Sequence, residues 1–270
     1  MEGSIDLKKL QQIVITAARE ELLPRFEQIG HELKSDGSVV TEADIAMQQR
    51  LERELAEAWP QYGLLGEEMS TEAQQALLDA PGEGLWCLDP LDGTSNYASG
   101  IGYYCVSLAL LDNEGSVLAL IYDPVRDDCF TAVRGEGARL NGEPLLAPKG
   151  GEIKTSIAEI DLKRLDSDLA ARIGAEHPFR SQRNFGSGAL DWCWLAAGRY
   201  QLYLHGGQKL WDYAAGSLIL AEAGGAATTF EGESMFADEK RGTRSVVSAV
   251  NGELQQQWLA WVKGARDGQG

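Results

Sequence analysis

The stretch Trp86–Tyr97, Trp-Cys-Leu-Asp-Pro-Leu-Asp-Gly-Thr-Ser-Asn-Tyr, restricts the fold of this chain more than any other. It opens as a buried strand, places Asp89 and Asp92 across a turn stiffened by Pro90, and runs into Gly93, Thr94 and Ser95, residues suited to starting a helix. Two acids at one strand-to-turn junction repel each other unless a cation lies between them, and Mg2+ prefers carboxylate, carbonyl and water oxygens. A helix start behind the acids offers backbone N–H groups to a phosphate. Taken alone, Asp92-Gly93 is equally an ordinary Asp-Gly turn, so the reading depends on what the rest of the chain brings to it.

The chain has 270 residues, 44% of them hydrophobic, enough to bury a core as one domain or as two closely packed halves. With 41 acidic against 24 basic residues the net charge of -17 opposes binding to nucleic acid or to an anionic membrane surface. The same charge makes an anionic substrate dependent on a bound cation, most simply a divalent metal. The first residues show no basic start followed by an apolar run, and no stretch approaches the ~20 apolar residues of a membrane span. Cys87, Cys105, Cys129 and Cys193 are scattered without Cys-x-x-Cys spacing, as expected of reduced core thiols in a cytoplasmic protein. His31, His177 and His205 stand too far apart in the chain to argue for zinc.

In chain order, the spacing of Leu10, Ile13, Val14, Ala17, Leu22 and Phe26 predicts an amphipathic helix from Ile5 to about Gly30, kinked at Pro24. A polar loop over Lys34–Val40 leads to Thr41, which with Asp44 forms a capping-box pattern opening a helix to about Trp59. Tyr62–Leu65 reads as a short buried strand delivering Glu67 and Glu68 to its tip, and residues 70–84, with Pro81, read as a surface excursion. Segments Tyr103–Leu111, Val117–Tyr122 and Cys129–Val133 predict an antiparallel meander, continued by a hairpin that turns at Asn141-Gly142. Beyond Lys149 short strands alternate with helices, so residues 1–150 and 151–270 form two halves, the second an α/β layer. Strands are expected at Ser156–Ile160, Gln201–Leu204, Ala226–Thr229 and Val246–Val250, and helices near 163–174, 188–197, 213–223 and 252–263.

Each remaining acid has an ordinary explanation when taken singly. Glu67 and Glu68 suit a solvated loop. Asp212, ahead of an apolar helix closed by Gly224-Gly225, suits an N-cap. Gly186-Ser187-Gly188 lacks the Gly-x-Ser-x-Gly frame of a hydrolase elbow, and Gly135-x-Gly137 sits between strands rather than at a dinucleotide site.

Together, Gly66-Glu67-Glu68, Asp89–Ser95, Gly135–Gly142, Trp211–Gly216 and Glu222–Gly225 resemble, in the right order and over nearly the whole chain, the inositol monophosphatase family of metal-dependent phosphatases. The resemblance implies the alternating α-β-α-β-α sandwich of the inositol monophosphatase and fructose-1,6-bisphosphatase fold, with the site between its halves. It implies two or three Mg2+ ions held by Glu67, Asp89, the Leu91 carbonyl, Asp92 and Asp212, and a phosphate seat at Gly93, Thr94 and Ser95. In the family a water on the metal, polarised by groups matching Glu67 and Thr94, attacks phosphorus, with Thr41 and Asp44 behind them; here Thr41 and Asp44 equally serve as a cap. The loop carrying Arg183, Gly186, Ser187 and Gly188 matches the family's substrate side. Members that hydrolyse inositol phosphates commonly have Glu where this chain has His205, which puts inositol in doubt as the substrate. The expectation is a phosphomonoesterase for a small soluble phosphate: an inositol or sugar phosphate, 3'-phosphoadenosine 5'-phosphate or histidinol phosphate. The alternative is a regulatory member of the same fold working through protein partners, as is thought of some bacterial relatives in transcription. A homodimer is also implied, with Trp192 and Trp194 near a helix face as indirect support from the chain itself, although both equally suit a core.

Overall fold

A computed structural model of the chain describes residues 5–26, 32–33, 39–80, 82–237 and 242–267. The first helix, α1 (Leu7–Glu21), is capped by Asp6, whose carboxylate accepts from the Lys8 and Lys9 N–H groups. It stops before Pro24 rather than kinking there, and a 3-10 turn (Leu23–Arg25) follows. Proline has no N–H to continue the ladder and disfavours helical backbone at the residue before it, so the expected extension fails; residues 27–30 lie outside the described residues, as do His31, most of the Lys34–Val40 loop and Pro81. A two-stranded ribbon, β1 (Glu32–Leu33) with β2 (Val39–Val40), precedes α2 (Glu42–Ala58). The Thr41–Asp44 box forms as expected: Asp44 Oδ2 accepts from Thr41 N at 2.8 Å and from Thr41 Oγ1 at 2.5 Å.

After β3 (Gly63–Gly66) the predicted surface excursion is largely a helix, α3 (Thr71–Asp79), begun by Ser70 as N-cap. Ser70 ahead of Thr-Glu-Ala-Gln-Gln-Ala-Leu-Leu is a helix start, obscured by Pro81 and the two glycines that follow it. Strand β4 (Leu85–Asp92) is buried along its whole length and leads into the short helix α4 (Thr94–Ala98). The meander follows as β5 (Cys105–Asp112), β6 (Gly115–Asp123), β7 (Asp128–Val133), β8 (Gly137–Leu140) and β9 (Glu143–Leu145). Asn141 (φ 52°) and Gly142 (φ 86°) make the two-residue turn with left-handed backbone at both positions. The seven strands are ordered β3-β4-β5-β6-β7-β8-β9, with only β3 and β4 parallel.

The second sheet is ordered β11-β10-β12-β14-β13, from β10 (Ile157–Asp161), β11 (Ser181–Arg183), β12 (Leu202–Gln208), β13 (Ala226–Thr228) and β14 (Arg244–Ala249). Strand β11, three residues at the sheet edge, is too short to leave a periodic signal, and it lies where the sequence reads as loop. Helices α5 (Ser167–Glu176), α6 (Gly188–Ala196), α7 (Leu210–Ala223) and α8 (Gly252–Arg266) complete the chain.

These elements stack as alternating layers. Leu10, Val14, Leu51 and Leu55 of α1 and α2 pack on one face of the seven-stranded sheet with Trp86, Leu88, Val106 and Leu120. Its other face meets α6 and α7, which lie between the sheets, and α5 and α8 cover the far side of the second sheet. The middle layer explains two motifs. Gly216 lies against the Trp192 ring, where a Cβ would stand 2.4 Å from it, so α6 and α7 approach closely only with glycine there. Trp192 is fully buried and donates to Gln208 Oε1 at 2.9 Å, which makes it core; Trp194 is half-buried beneath the Arg126 and Arg199 guanidinium groups. The tryptophan pair therefore lends no support to a dimer.

Glu222, near the end of α7, accepts from Gly135 N and Gly137 N, both at 2.8 Å, and fastens the β7–β8 turn to the middle layer. Charge-assisted bonds of this kind contribute about 2 kcal/mol together once partial exposure is allowed for. Glu222→Ala is expected to lower Tm by about 4–6 °C, measured by differential scanning calorimetry, with Glu222→Gln intermediate; an unchanged Tm would show the turn to be held by other contacts.

Candidate active site

The site begins with an irregularity in β4. Regular alternation puts residues three apart on opposite faces of a sheet. Between Asp89, opposite Ser107, and Asp92, opposite Cys105, β4 gains one residue over its partner, a bulge that returns Asp92 to the face carrying Leu85, Cys87 and Asp89. Both acids thus face the middle layer. Asp89 Oδ1 accepts from Leu91 N at 3.0 Å, closing the turn around Pro90.

Asp212 comes to the same place from α7. It is the third residue of the helix and accepts from Lys209 N at 2.8 Å; the helix starts at Leu210 with Lys209 as N-cap, so Asp212 is not itself the cap that its sequence context predicts. Ser107 Oγ donates to Trp211 O at 3.1 Å and Ser116 Oγ to Ala214 O at 2.7 Å, holding this end of α7 on β5 and β6. Carboxylate oxygens of Asp89, Asp92 and Asp212 all lie within 4.8 Å of one another. Burial and then mutual repulsion, with Glu67 included, push Asp89 and Asp212 well above the ordinary carboxylate range. Burial also raises Asp92, opposed by the hydrogen bonds of Ser187 and of the start of α6.

Glu67 follows β3, whose pairing continues through Glu67 N to Leu88 O at 3.1 Å. Its turn is pinned by Gln48, which accepts from Glu68 N at 3.0 Å, and by Gln74, which donates to the Gly66 and Glu67 carbonyls. On the opposite side Asp92 Oδ2 accepts from Ser187 Oγ at 2.5 Å and Ala189 N at 2.7 Å. Ser187 is thereby occupied with Asp92. Gly93, at φ 94°, turns the chain into α4 in a position where a Cβ would stand 3.0 Å from Tyr103 O and 3.1 Å from Ser187 Cβ. Thr94 Oγ1 lies 3.0 Å from Leu91 O and 3.1 Å from Asp44 Oδ1. Burial raises Asp44 to about 6, against the opposing hydrogen bonds from Thr41.

These groups line a cleft of about 410 Å³ that brings together Glu67, Asp89, Leu91, Asp92, Gly93, Thr94, Gly186, Ser187, Gly188, His205 and Asp212. Thr41 and Asp44 stand behind Thr94 rather than on the cleft wall, and Ser95 is exposed on α4 outside the lining. Arg183 is likewise outside it, bonded to Ser181 Oγ and Gln182 O on its own strand. The lining also includes Asp161, Arg164, Asn184, Asp191, Gln208 and Lys209, to which the sequence assigns no role. Asp161 stands beside His205 because β10 and β12 pair in parallel register, and Asp161 Oδ2 is 3.7 Å from His205 Nε2. His205 Nδ1 accepts from Gly207 N at 3.1 Å, which leaves the ring proton on Nε2; burial lowers the imidazole to about 4, so it is neutral at pH 7.

A set of close carboxylates, Asp89 buried and Asp212 half-buried, beside a backbone carbonyl is the donor chemistry of a hard divalent cation, and among the described residues none of the three aspartates forms an ion pair with Lys or Arg. No described helix is long and apolar enough to cross a membrane.

Comparison with known proteins agrees with this geometry. The inositol monophosphatase family model matches residues 6–264. Inositol monophosphatase 1 of Solanum lycopersicum is 31% identical over 264 residues, 94% of either chain. A Nus factor SuhB of Xylella fastidiosa is 36% identical over 204 residues, 74% of this chain and 72% of its own. The crystal structure of the extragenic suppressor protein suhB from Bartonella henselae superposes with a TM-score of 0.82 at 28% identity, covering 96% of this chain and 99% of that one. An IMPase of Thermotoga maritima gives a TM-score of 0.83 at 25% identity over 98% and 99%. By its layered fold, the order of its motifs and these matches, the chain belongs to the inositol monophosphatase family and is a phosphoric monoester hydrolase.

Proposed function

We propose that this chain is a Mg2+-dependent phosphomonoesterase for a small soluble phosphate, with Glu67, Asp89, the Leu91 carbonyl, Asp92 and Asp212 as the metal-holding set. The convergence of Asp89, Asp92 and Asp212 within 4.8 Å carries the reading. Like charges so placed are stable together only when protonated or when a cation lies between them, and the latter suits a protein of net charge -17 that must admit a phosphate. When bound, Mg2+ supplies neutralising charge to the phosphate and a water of lowered pKa.

The chain's own groups do the positioning. The Thr94 hydroxyl shares its proton between Asp44 Oδ1 and the Leu91 carbonyl, which leaves a Thr94 lone pair to accept from the attacking water, and Glu67 lines the same cleft. The N–H groups around Gly93 and Thr94 seat the phosphate. On the leaving-group side Asp161 offers a carboxylate to hydroxyls, neutral His205 presents its proton on Nε2, which lies 3.7 Å from that carboxylate, and Arg164 and Lys209 are the cations along the lining. A polyol phosphate would use Asp161, and a nucleotide carrying a second phosphate would use Arg164 and Lys209. Action as a homodimer in the cytoplasm is part of the same proposal.

The test is phosphate release from inositol 1-phosphate, a hexose phosphate, 3'-phosphoadenosine 5'-phosphate and histidinol phosphate, with Mg2+ and with chelator. Release from at least one substrate, lost with chelator and restored by Mg2+, is expected. No Mg2+-dependent release from any of them would turn the reading toward a regulatory protein working through protein partners, for which the likeness to relatives named Nus factors speaks.

A further inference from the structure

The loop between β11 and α6 is the element that holds Asp92 in place, and it is itself gripped at one residue from two directions. Phe185 N donates to Glu159 Oε1 at 3.2 Å, and Phe185 O accepts from Asn96 Nδ2 at 2.7 Å. The same Asn96 nitrogen donates to Tyr103 O at 2.8 Å, so one side chain joins α4, the approach to β5 and the loop. Glu159 comes from β10 in the other sheet and is buried, as is its second oxygen, which has no hydrogen-bond partner. A buried carboxyl retained with one oxygen unsatisfied is costly, so the bond made by the other has to be worth keeping. The Phe185 ring packs on Tyr103 and Trp194 at centroid distances of 5.0 and 5.2 Å. Two residues further on, Ser187 and the start of α6 meet Asp92 Oδ2.

We propose that Asn96 and Glu159 are positioning residues for Asp92: by holding Phe185 at both backbone groups they set the loop so that Ser187 and Ala189 keep the Asp92 carboxylate within reach of Asp89 and Asp212. The inference rests on the metal-dependent reading above. Without these anchors the Phe185 amide and carbonyl must find other partners, the loop shifts, and Asp92 loses the orientation that its two donors impose. Residues acting behind metal ligands in this manner alter metal affinity about 10–100-fold when removed. Burial raises the Glu159 carboxyl to about 8, so near pH 7 it is mostly neutral and glutamine is a close substitute that still accepts from Phe185 N.

The experiment is calorimetric titration of Mn2+ into chelator-treated protein: wild type, Asn96→Ala, Asn96→Ser, Glu159→Leu, Glu159→Gln and Tyr97→Phe. Tyr97→Phe loses a buried hydroxyl bond to Leu22 O, at 2.6 Å, away from the loop, and so controls for lost stability. Asn96→Ala and Glu159→Leu are expected to raise the Mn2+ Kd at least about tenfold, Glu159→Gln to stay within about twofold of wild type, and Tyr97→Phe to lower Tm without moving Kd. Asn96→Ser, which keeps a small polar group, stands in if Asn96→Ala does not fold. Unchanged Kd in the folded Asn96 and Glu159 variants, or equal weakening by Glu159→Gln and Glu159→Leu, would overturn the inference while leaving metal binding by the wild type intact. A wild type that binds no Mn2+ would remove the metal-dependent reading and this inference with it.

Discussion

Asp92→Asn is expected to lower kcat by about a thousandfold or more while leaving the fold intact. The amide oxygen of asparagine can still accept from Ser187 Oγ and Ala189 N, so the loop, the start of α6 and the bulge keep their partners. What disappears is the negative charge and one oxygen of the proposed metal-holding set, and a lost metal contact costs several kcal/mol of charge stabilisation, where ~4 kcal/mol corresponds to about a thousandfold in rate. Steady-state kinetics at saturating Mg2+, with circular dichroism and calorimetry as controls, measure both halves of the expectation. Retained activity would remove Asp92 from the mechanism; loss of the folded state would show its carboxylate to be structural.

The second large effect is the pH dependence of the metal-free protein. Asp89, Asp92, Asp212, Asp191, Asp44 and Glu159 are all raised by burial, Asp44 to about 6 and Glu159 to about 8. Between the unfolded values near 4 and these folded values the native state binds more protons than the unfolded state, so stability falls as pH rises through this window. In chelator, Tm should therefore decline from about pH 4 to about pH 8. Asp112, Asp127 and Glu231, lowered by their arginine and tyrosine partners, add stability of the opposite sign that is lost in stronger acid. Mg2+ needs the deprotonated carboxylates, so its stabilising effect should grow with pH. At a hundredfold excess over Kd it amounts to about 2.7 kcal/mol, roughly 5–10 °C at pH 8. Equal Mg2+ shifts at pH 5 and pH 8, or a chelated Tm that rises over this range, would exclude the buried aspartates as the binding set.

Local chemistry made a large part of this protein legible before folding. Thr41 with Asp44, Asn141 with Gly142, and the spacing of Asp89 and Asp92 depend on contacts within a few residues, and the first two recur in the structure as a capping box and a tight turn. The departures from local expectation have physical reasons of the same range. Pro24 ends α1 rather than kinking it because its missing N–H stops the ladder, and the helix-forming run after Ser70 prevails over the breakers Pro81, Gly82 and Gly84 that lie beyond its end. The rest of the cleft lining left no trace of this kind. Asp161 becomes a neighbour of His205 through strand register, and Asn96 reaches Phe185 across 89 residues of sequence only through tertiary packing.

The amino-acid order by itself determined the Thr41–Asp44 cap, the Asn141-Gly142 turn and the pairing of Asp89 with Asp92 along one strand end, because those are settled by backbone geometry over one or two helical turns. Only the tertiary structure decided that Asp92, past a one-residue bulge, and Asp212, at the third position of a helix, share one cleft, and that Ser187 serves Asp92. The physical reason is that α6 and α7 can pack between the two sheets only with Gly216 against Trp192, and that packing, invisible to any local pattern, sets which carboxylates meet.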